Sequence, residues 1–398
     1  MTEKIWAQKS DGPAVILQKG KDKAIKNRHH WIFSGAVKFL PEFENGSLLP
    51  VMSADGEFLG TAYFNLRCSI IGRMVSFDST PPLEALQKNL EKSIALRRNF
   101  FETTTNAYRL VNGEGDRLPG LILDQYKDVL VLQISTLGME KLKPFLTDFL
   151  IQKLNPRCLY EKSSLPSRRE EGLDDFEGAL SGEPPETVEI VENDVRFLVD
   201  IVRSQKTGFF LDQREMRKLV RSLGKNKKVL DCFSYTGGFS VQALKGGAES
   251  VDAVDASERA IELAEKNCSL NGLGSQNHHF YVADVFEFLR GQALPYDLVI
   301  LDPPAFAKKK ADVPQAFRGY RDIHRLVFQK IPPASLVLTF SCSYFFNESL
   351  FQKVIFQAAR DASRNVRILQ RHHQAYDHPV NIYHPEGNYL KGFLLYVE

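Results

Sequence analysis

Beyond residue 206 the chain alternates between short aliphatic runs and stretches whose apolar positions recur every three or four residues. Val229-Leu230, Ser250 to Val254, Phe280 to Val282, Leu298 to Leu301 and Leu336 to Phe340 read as strands. Phe239 to Lys245, Ser257 to Asn271, Val285 to Arg290, Tyr320 to Gln329 and Glu348 to Asp361 read as the helices between and after them. The helix from Ser257 carries an inner stripe of Ala260, Leu263, Ala264, Asn267 and Leu270. Val366 to Leu369 and Phe393 to Val397 add two closing strands. Near-continuous apolar strands separated by helices predict an α/β fold with a parallel sheet covered on both faces.

The first eighty residues have a different texture. Val15 to Leu17, Trp31 to Phe33, Leu48 to Met52, Phe58 to Phe64 and Ile70 to Val75 are short β segments, bounded by Gly, Asn-Gly or Asp-Gly, and predict a small β-barrel. Pro81-Pro82 ends it. Leu83 to Phe101 then has helical spacing at Leu83, Leu86, Leu90 and Ile94. From Tyr108 to Val202 the pattern is mixed: Leu121 to Leu123 and Val129 to Ile134 are strand-like, Met139 to Leu154 helical, and Thr187 to Ile190 and Phe197 to Ile201 strand-like again. Residues 163–186, rich in Ser, Pro, Gly and charge, read as an exposed loop. These changes of texture mark three domains, 1–80, 81–203 and 204–398, without an internal repeat.

Length agrees, since 398 residues exceed one ordinary domain. Apolar content of 43% with 25% charged residues is that of a soluble globular protein. No apolar run reaches the length of a transmembrane helix, and Met1 to Lys9 has no apolar h-region, so the expected location is the cytoplasm. The five cysteines (68, 158, 232, 268, 342) form no CxxC pair; free thiols are expected, and no metal site. A net charge of +2 excludes a uniformly basic nucleic-acid binder but leaves room for local basic faces. Lys19 to Lys38 holds six Lys/Arg against Asp22, and residues 303–330 hold seven against Asp312 and Asp322. Either run alone is ordinarily a solvated face; together, on a small N-terminal module and beside a pocket, they favour RNA.

The chemistry lies at the carboxyl ends of the predicted strands, where open α/β sheets bind their ligands. The first loop runs Asp231-Cys-Phe-Ser-Tyr-Thr-Gly237-Gly238. Its glycines permit close backbone approach to a ligand, although a tight strand-to-helix turn explains them equally well. The GxGxxG fingerprint of dinucleotide folds is absent; an early acid followed by Gly-Gly suits a ligand with a cationic amino-acid part, such as S-adenosylmethionine. Asp255, 18 residues past Gly237, is placed to accept both ribose hydroxyls. Asp284 either faces the adenine or caps the following helix. Asp302-Pro303-Pro304 fixes the backbone after the fourth strand and keeps its carboxylate for a ligand. Enzymes that methylate base nitrogens place an aromatic directly after such prolines, whereas here Ala305 intervenes before Phe306.

Cys342 follows the fifth strand. A lone cysteine is ordinarily a small buried hydrophobe, but this one stands beside the Asp302 loop. Carbon 5 of cytosine is a poor nucleophile until a thiolate adds to carbon 6, which is the logic of covalent catalysis. Cys232 is the rival thiol, but it lies inside the cofactor loop and is expected to pack.

Several motifs are similar to one family: Thr207-Gly-Phe-Phe-Leu-Asp-Gln-Arg214, Cys232-Phe-Ser-Tyr-Thr-Gly-Gly-Phe239, Asp302-Pro-Pro304, Thr339-Phe-Ser-Cys-Ser343, Asp377-His-Pro379, Pro385-Glu-Gly387 and Tyr389-Leu-Lys-Gly-Phe393. They resemble the bacterial large-subunit ribosomal RNA cytosine-C5 methyltransferases, methyltransferase I. Arg28-His-His-Trp-Ile-Phe-Ser-Gly-Ala-Val37 resembles the start of that family's PUA domain. The resemblance implies a PUA-like β-barrel, a central α+β domain and a Rossmann-like class I methyltransferase domain that uses S-adenosylmethionine. It implies that Gln213, Arg214, Phe233, Tyr235, Gly237, Asp255, Asp284 and Asp302 surround the cofactor. It further implies that Cys342 is the nucleophile and that Asp302 also holds the N3/N4 edge of the base. Ser163 to Arg169 departs from the family, which is more acidic there.

The expected partner is large-subunit (23S) ribosomal RNA, with the base turned out of its stack. His378 and ordered water are equal candidates for removing the C5 proton. A purine-nitrogen methyltransferase and an inactive RNA-binding assembly protein are the competing readings; the intact cofactor loops weigh against the second. The sequence leaves open whether the chain forms a homodimer.

Overall fold

The computed structural model describes residues 13–101, 104–204 and 206–398, so the reading of Met1 to Lys9 lies outside the described residues. The chain packs as two compact units. The first is Met1–Val188 with Val199–Phe209 and Tyr376–Gly387; the second is Glu189–Leu198 with Phe210–Ala375 and Asn388–Glu398.

In the first unit, β1 (Val15–Leu17), β2 (Trp31–Phe33), β3 (Val37–Phe39), β4 (Leu48–Met52), β5 (Phe58–Phe64) and β6 (Ile70–Ser76) form one six-stranded sheet in the order β2-β6-β5-β4-β1-β3. Its apolar face buries Val15, Leu17, Val51, Ala62 and Met74. A second sheet has the order β11-β10-β9-β8-β7, from β7 (Ala107–Asn112), β8 (Leu121–Tyr126), β9 (Val129–Ile134), β10 (Cys158–Ser163) and β11 (Phe176–Ser181). The helix Pro82–Arg98 starts with proline in its first turn, where a missing N–H costs nothing, and buries Leu86, Leu90 and Ile94. Gly138, in the short helix Leu137–Lys141 that follows β9, lets that helix pack closely on β5: a Cβ there would fall 2.1 Å from the ring of Tyr63.

Two expectations for this unit need correction. Residues 163–186 are not an exposed loop: they contain the helix Pro166–Glu171 and β11, which pairs antiparallel with β10. Two of their charged side chains, Arg168 and Glu171, are buried inside the unit. Arg168 donates to Glu140 at 2.9 Å and to the carbonyl of Ile134 at 2.8 Å, and Glu171 pairs with Arg73 at 2.7 Å. The helix expected over 139–154 is two helices, Leu137–Lys141 and Lys143–Leu154, broken at Leu142.

The second unit opens with the hairpin β12 (Val188–Glu192) and β13 (Val195–Val199), turned at Asn193 and Asp194 with φ of 50° and 63°, which two left-handed residues allow. Its main sheet has the order β16-β15-β14-β17-β18-β20-β19. The strands are β14 (Lys228–Cys232), β15 (Ser250–Asp255), β16 (His278–Val282), β17 (Leu298–Leu301), β18 (Ser335–Ser341), β19 (Val366–His372) and β20 (Lys391–Val397). β14 to β18 are parallel as expected. β20 runs antiparallel between β18 and β19, a placement that the apolar pattern does not encode.

Helices 238–245, 258–270, 285–291, 313–330 and 348–361 accompany this sheet. The fourth starts seven residues before the expected Tyr320. In the second, the buried face is Ala260, Ile261, Ala264, Asn267 and Cys268, so Leu263 and Leu270 lie at its margin. Among the described residues no helix is long and apolar enough to cross a membrane.

Candidate active site

Strand register gathers the loops. Cys232 of β14 pairs with Leu301 of β17, and Leu301 pairs with Thr339 of β18. The residues that follow each strand therefore emerge along one edge of the sheet: the 233–238 loop, Asp302 and Ser341-Cys342.

The 233–238 loop bends tightly. Phe233, Tyr235 and Gly237 all take left-handed φ, 62°, 49° and 74°, a conformation costly for residues with a side chain. Asp255 stabilises the bend by accepting from the N–H of Tyr235 and of Ser257, both at 2.9 Å. Gly237 is also needed for packing, since a Cβ there would lie 2.9 Å from the Cβ of Ala264. Asp231 is fully buried. One carboxylate oxygen accepts from the hydroxyl and N–H of Ser240, at 2.6 and 3.1 Å, while burial raises its acid to about 7.

The Oδ1 of Asp231, Oε1 of Gln213 and the hydroxyls of Ser234 and Thr236 are buried without a hydrogen-bond partner in the protein. Buried polar atoms normally have one. Such a group of donors and acceptors fits a polar, charged ligand like S-adenosylmethionine.

The next two loops are tied to each other. Gln213 donates to Asp302 at 3.1 Å. The N–H of Ala307 donates to the Ser343 hydroxyl at 3.2 Å. Tyr320, on helix 313–330, donates to the Ser341 hydroxyl at 3.0 Å, and burial pushes its phenol up to about 12. One turn along, His324 contacts the carbonyl of Tyr320 at 2.6 Å and the hydroxyl of Thr339 at 2.8 Å. Burial lowers its ring to about 4, so it is neutral. From β20, the ammonium of Lys391 donates to the carbonyls of Ser343 and Tyr389 at 2.7 and 2.6 Å. The Tyr389 hydroxyl in turn donates to Asp212 at 2.7 Å.

Cys342 is half-buried and Cys232 fully buried. Burial pushes the Cys232 thiol well above its ordinary range, and the residue sits in the main apolar core, as expected of it. Of these two cysteines, only Cys342 has a solvent-reachable position.

The remaining predicted positions are less uniform. Asp284 caps the helix 285–291, accepting from the N–H of Glu287 at 3.0 Å. Arg214 is buried 3.7 Å from Glu192, whose carboxylate is also forked by Arg217 at 2.6 Å on both arms. His378 belongs to the first unit, where it contacts Asp377 at 3.0 Å. Tyr320, His324 and Lys391 had no assigned role in the sequence. Lys391 and Asp212 lie within recognised motifs, whereas Tyr320 and His324 carry only the helical spacing of a core face.

The two basic runs differ. Lys19, Lys21, Lys23, Lys26, Arg28 and Lys38 are all exposed. In the second run Arg321 and Arg325 pair with Asp361 and Asp322, and Lys330 donates to three carbonyls. Lys308, Lys309, Lys310 and Arg318 remain exposed. In the first unit His29, His384 and Glu386 bring ligand-type atoms within 4.8 Å. The N–H of Trp31 donates to Nδ1 of His29 at 3.2 Å. The proton of that ring therefore sits on Nε2, 3.3 Å from Glu386, which favours a hydrogen bond over metal ligation.

Comparison with known proteins adds identity to this geometry. The family model for S-adenosylmethionine-dependent methyltransferases matches residues 169–370, and that for a PUA-like domain matches residues 15–77. The chain is 42% identical over 391 residues to the ribosomal RNA large subunit methyltransferase I of Vibrio cholerae, covering 96% of this chain and 98% of that protein. It is 41% identical over 389 residues to the protein of the same name from Aliivibrio fischeri, with the same coverage. Among solved structures, a protein complexed with S-adenosylhomocysteine superposes with a TM-score of 0.84 at 26% identity, over 97% of this chain and all of that one.

Proposed function

Because this chain belongs to the ribosomal RNA large subunit methyltransferase I family of S-adenosylmethionine-dependent methyltransferases, we propose that it methylates carbon 5 of a cytosine in large-subunit (23S) ribosomal RNA through a covalent adduct with Cys342. The observation that carries this reading is a solvent-reachable thiol at the end of β18, one strand from Asp302.

Gln213, Arg214, Asp231, Phe233, Tyr235, Gly237, Asp255, Asp284 and Asp302 would hold the cofactor. S-adenosylmethionine, when bound, supplies an electrophilic methyl group. Asp302 would grip the N3/N4 edge of a base turned out of its stack. The Cys342 thiolate adds to carbon 6, and the electron pair of the C5–C6 double bond becomes available at carbon 5. Once carbon 5 is methylated, loss of its proton to a base lets the C6–S bond break and the thiolate leave. The basic face of residues 1–80 would contact phosphates, which position RNA rather than read it.

The test is transfer of labelled methyl groups to unmodified large-subunit RNA, followed by nucleoside mass spectrometry, with wild type and Cys342→Ala in parallel. We expect 5-methylcytosine from wild type and a loss of at least about 10³-fold in the variant, as for other removed nucleophiles. Label on a purine nitrogen, with the variant active, would make Cys342 a packing residue and the enzyme a nitrogen methyltransferase.

A further inference from the structure

A buried lysine beside a proposed nucleophile has no evident structural need for charge. Lys391 is 4% exposed. It sits opposite Ser341 in the β18–β20 ladder, and its ammonium reaches past Cys342 to the carbonyl of Ser343 at 2.7 Å. The positions on both sides of Cys342 are thus engaged by one side chain or its backbone. Cys342 and Tyr389 also pack on the same apolar cluster, which includes Phe340 and Leu390. The next residue, Gly392, lets the strands close up: a Cβ there would fall 2.7 Å from the Phe340 ring.

Resting on the nucleophile reading above, we propose that Lys391 is the positioning residue that fixes the Cys342 loop through Ser343 and holds Cys342 as a thiolate by its charge. Deprotonation sends the thiol proton to solvent, and Lys391 keeps its own three protons.

The charges around the thiol agree with this arrangement. Lys391 on β20 and Cys342 attract each other, while burial draws the ammonium down to about 8. From helix 313–330 the Tyr320 phenol faces Cys342 and Asp302 and stays neutral. Of these two groups, Lys391 is the one that brings positive charge to Cys342. A hydrocarbon side chain in its place would fill the space and leave the carbonyls of Ser343 and Tyr389 unpaired, without offsetting a thiolate.

The experiment is the pH profile of Cys342 alkylation by iodoacetamide, read by peptide mass spectrometry on the full chain, for wild type, Lys391→Arg and Lys391→Met. Wild type should alkylate with a midpoint below the ordinary thiol value of about 8.5. Lys391→Met should raise that midpoint by about one unit, an alkylation about tenfold slower at neutral pH; Lys391→Arg should restore most of the difference. A wild-type midpoint at or above the ordinary value overturns the proposal whether or not the variants fold. So does an unmoved midpoint in a Lys391→Met protein that still binds S-adenosylmethionine. Failure of the nucleophile reading looks different: Cys342→Ala would then keep its methyl transfer, whatever the thiol profile.

Discussion

Tyr320 illustrates how a side chain outside every motif can govern the site. Its hydroxyl donates to Ser341 at 3.0 Å and lies 3.5 Å from that of Ser343, so it braces both neighbours of Cys342 from below. Tyr320→Phe removes one hydroxyl and strands buried ones. We expect a loss of about 1–2 kcal/mol in urea denaturation and a fall in methyl-transfer rate of about tenfold from the loosened loop. Cofactor affinity should hold, because the Gln213–Asp302 contact is untouched; an unaltered rate would sink the bracing role. Cys342 and Asp302 were legible in the sequence because they end strong strands, and a strand end is a predictable place. Tyr320, His324 and Lys391 were not, since their meaning depends on which helix and strand lie next to β18.

At the scale of elements, helix 313–330 and β18 share a titratable contact. His324 is neutral in the fold at about 4, below its unfolded value of 6.5, so in that window the unfolded chain binds the extra proton. Stability is complete above pH 6.5 and falls as the pH drops toward 4, by on the order of 3 kcal/mol from this residue. His30, buried in the first unit and lowered to about 3, acts in the same direction. Chemical denaturation across pH 4–7 should show a shallower fall for His324→Gln than for wild type; parallel curves would contradict the contact. Asp231, raised to about 7 by burial, has the opposite sign, its unfavourable ionisation growing as pH rises through that value.

The elements themselves differed in how much of them could be read from sequence. The parallel strands announced themselves as continuous apolar runs. Residues 163–186 did not, because Arg168 and Glu171 are polar in composition and buried in fact, a case where pairing replaces hydrophobicity.

For the whole molecule, we propose domain boundaries at 80 and 203, while the two compact units group the six-stranded and five-stranded sheets together. The segment Tyr376–Gly387 belongs to the first unit although its flanks belong to the second. Arg97 anchors it by donating to the carbonyl of Asp377 at 2.7 Å. No periodicity in the sequence marks that crossing, which is also held by the N–H of Arg109 donating to the Asp377 carboxylate at 2.8 Å and by Asn112 donating to the carbonyl of Pro379 at 3.1 Å. The exposed cations of the first unit make a further prediction. With Lys19, Lys21 and Lys23 changed to Ala, RNA binding should weaken, and the slope of log affinity against log salt should shrink by about 2, near 0.7 for each lost phosphate contact. An unchanged slope in filter binding would exclude this face from the RNA interface.

The inner position of β20 also has a consequence in time. β19 hydrogen-bonds to the sheet through β20, and β20 is laid down some fifty residues after β18. A chain still emerging from synthesis can therefore assemble β14 to β18 with the loops that follow them and Cys342 in place, yet lack Lys391. Pairing of such distant segments is slow. The thiol would stay protonated and unreactive through that interval. Nucleophilicity would then arrive as the last event of folding, sparing an unfinished protein from alkylation and from chemistry on the wrong RNA.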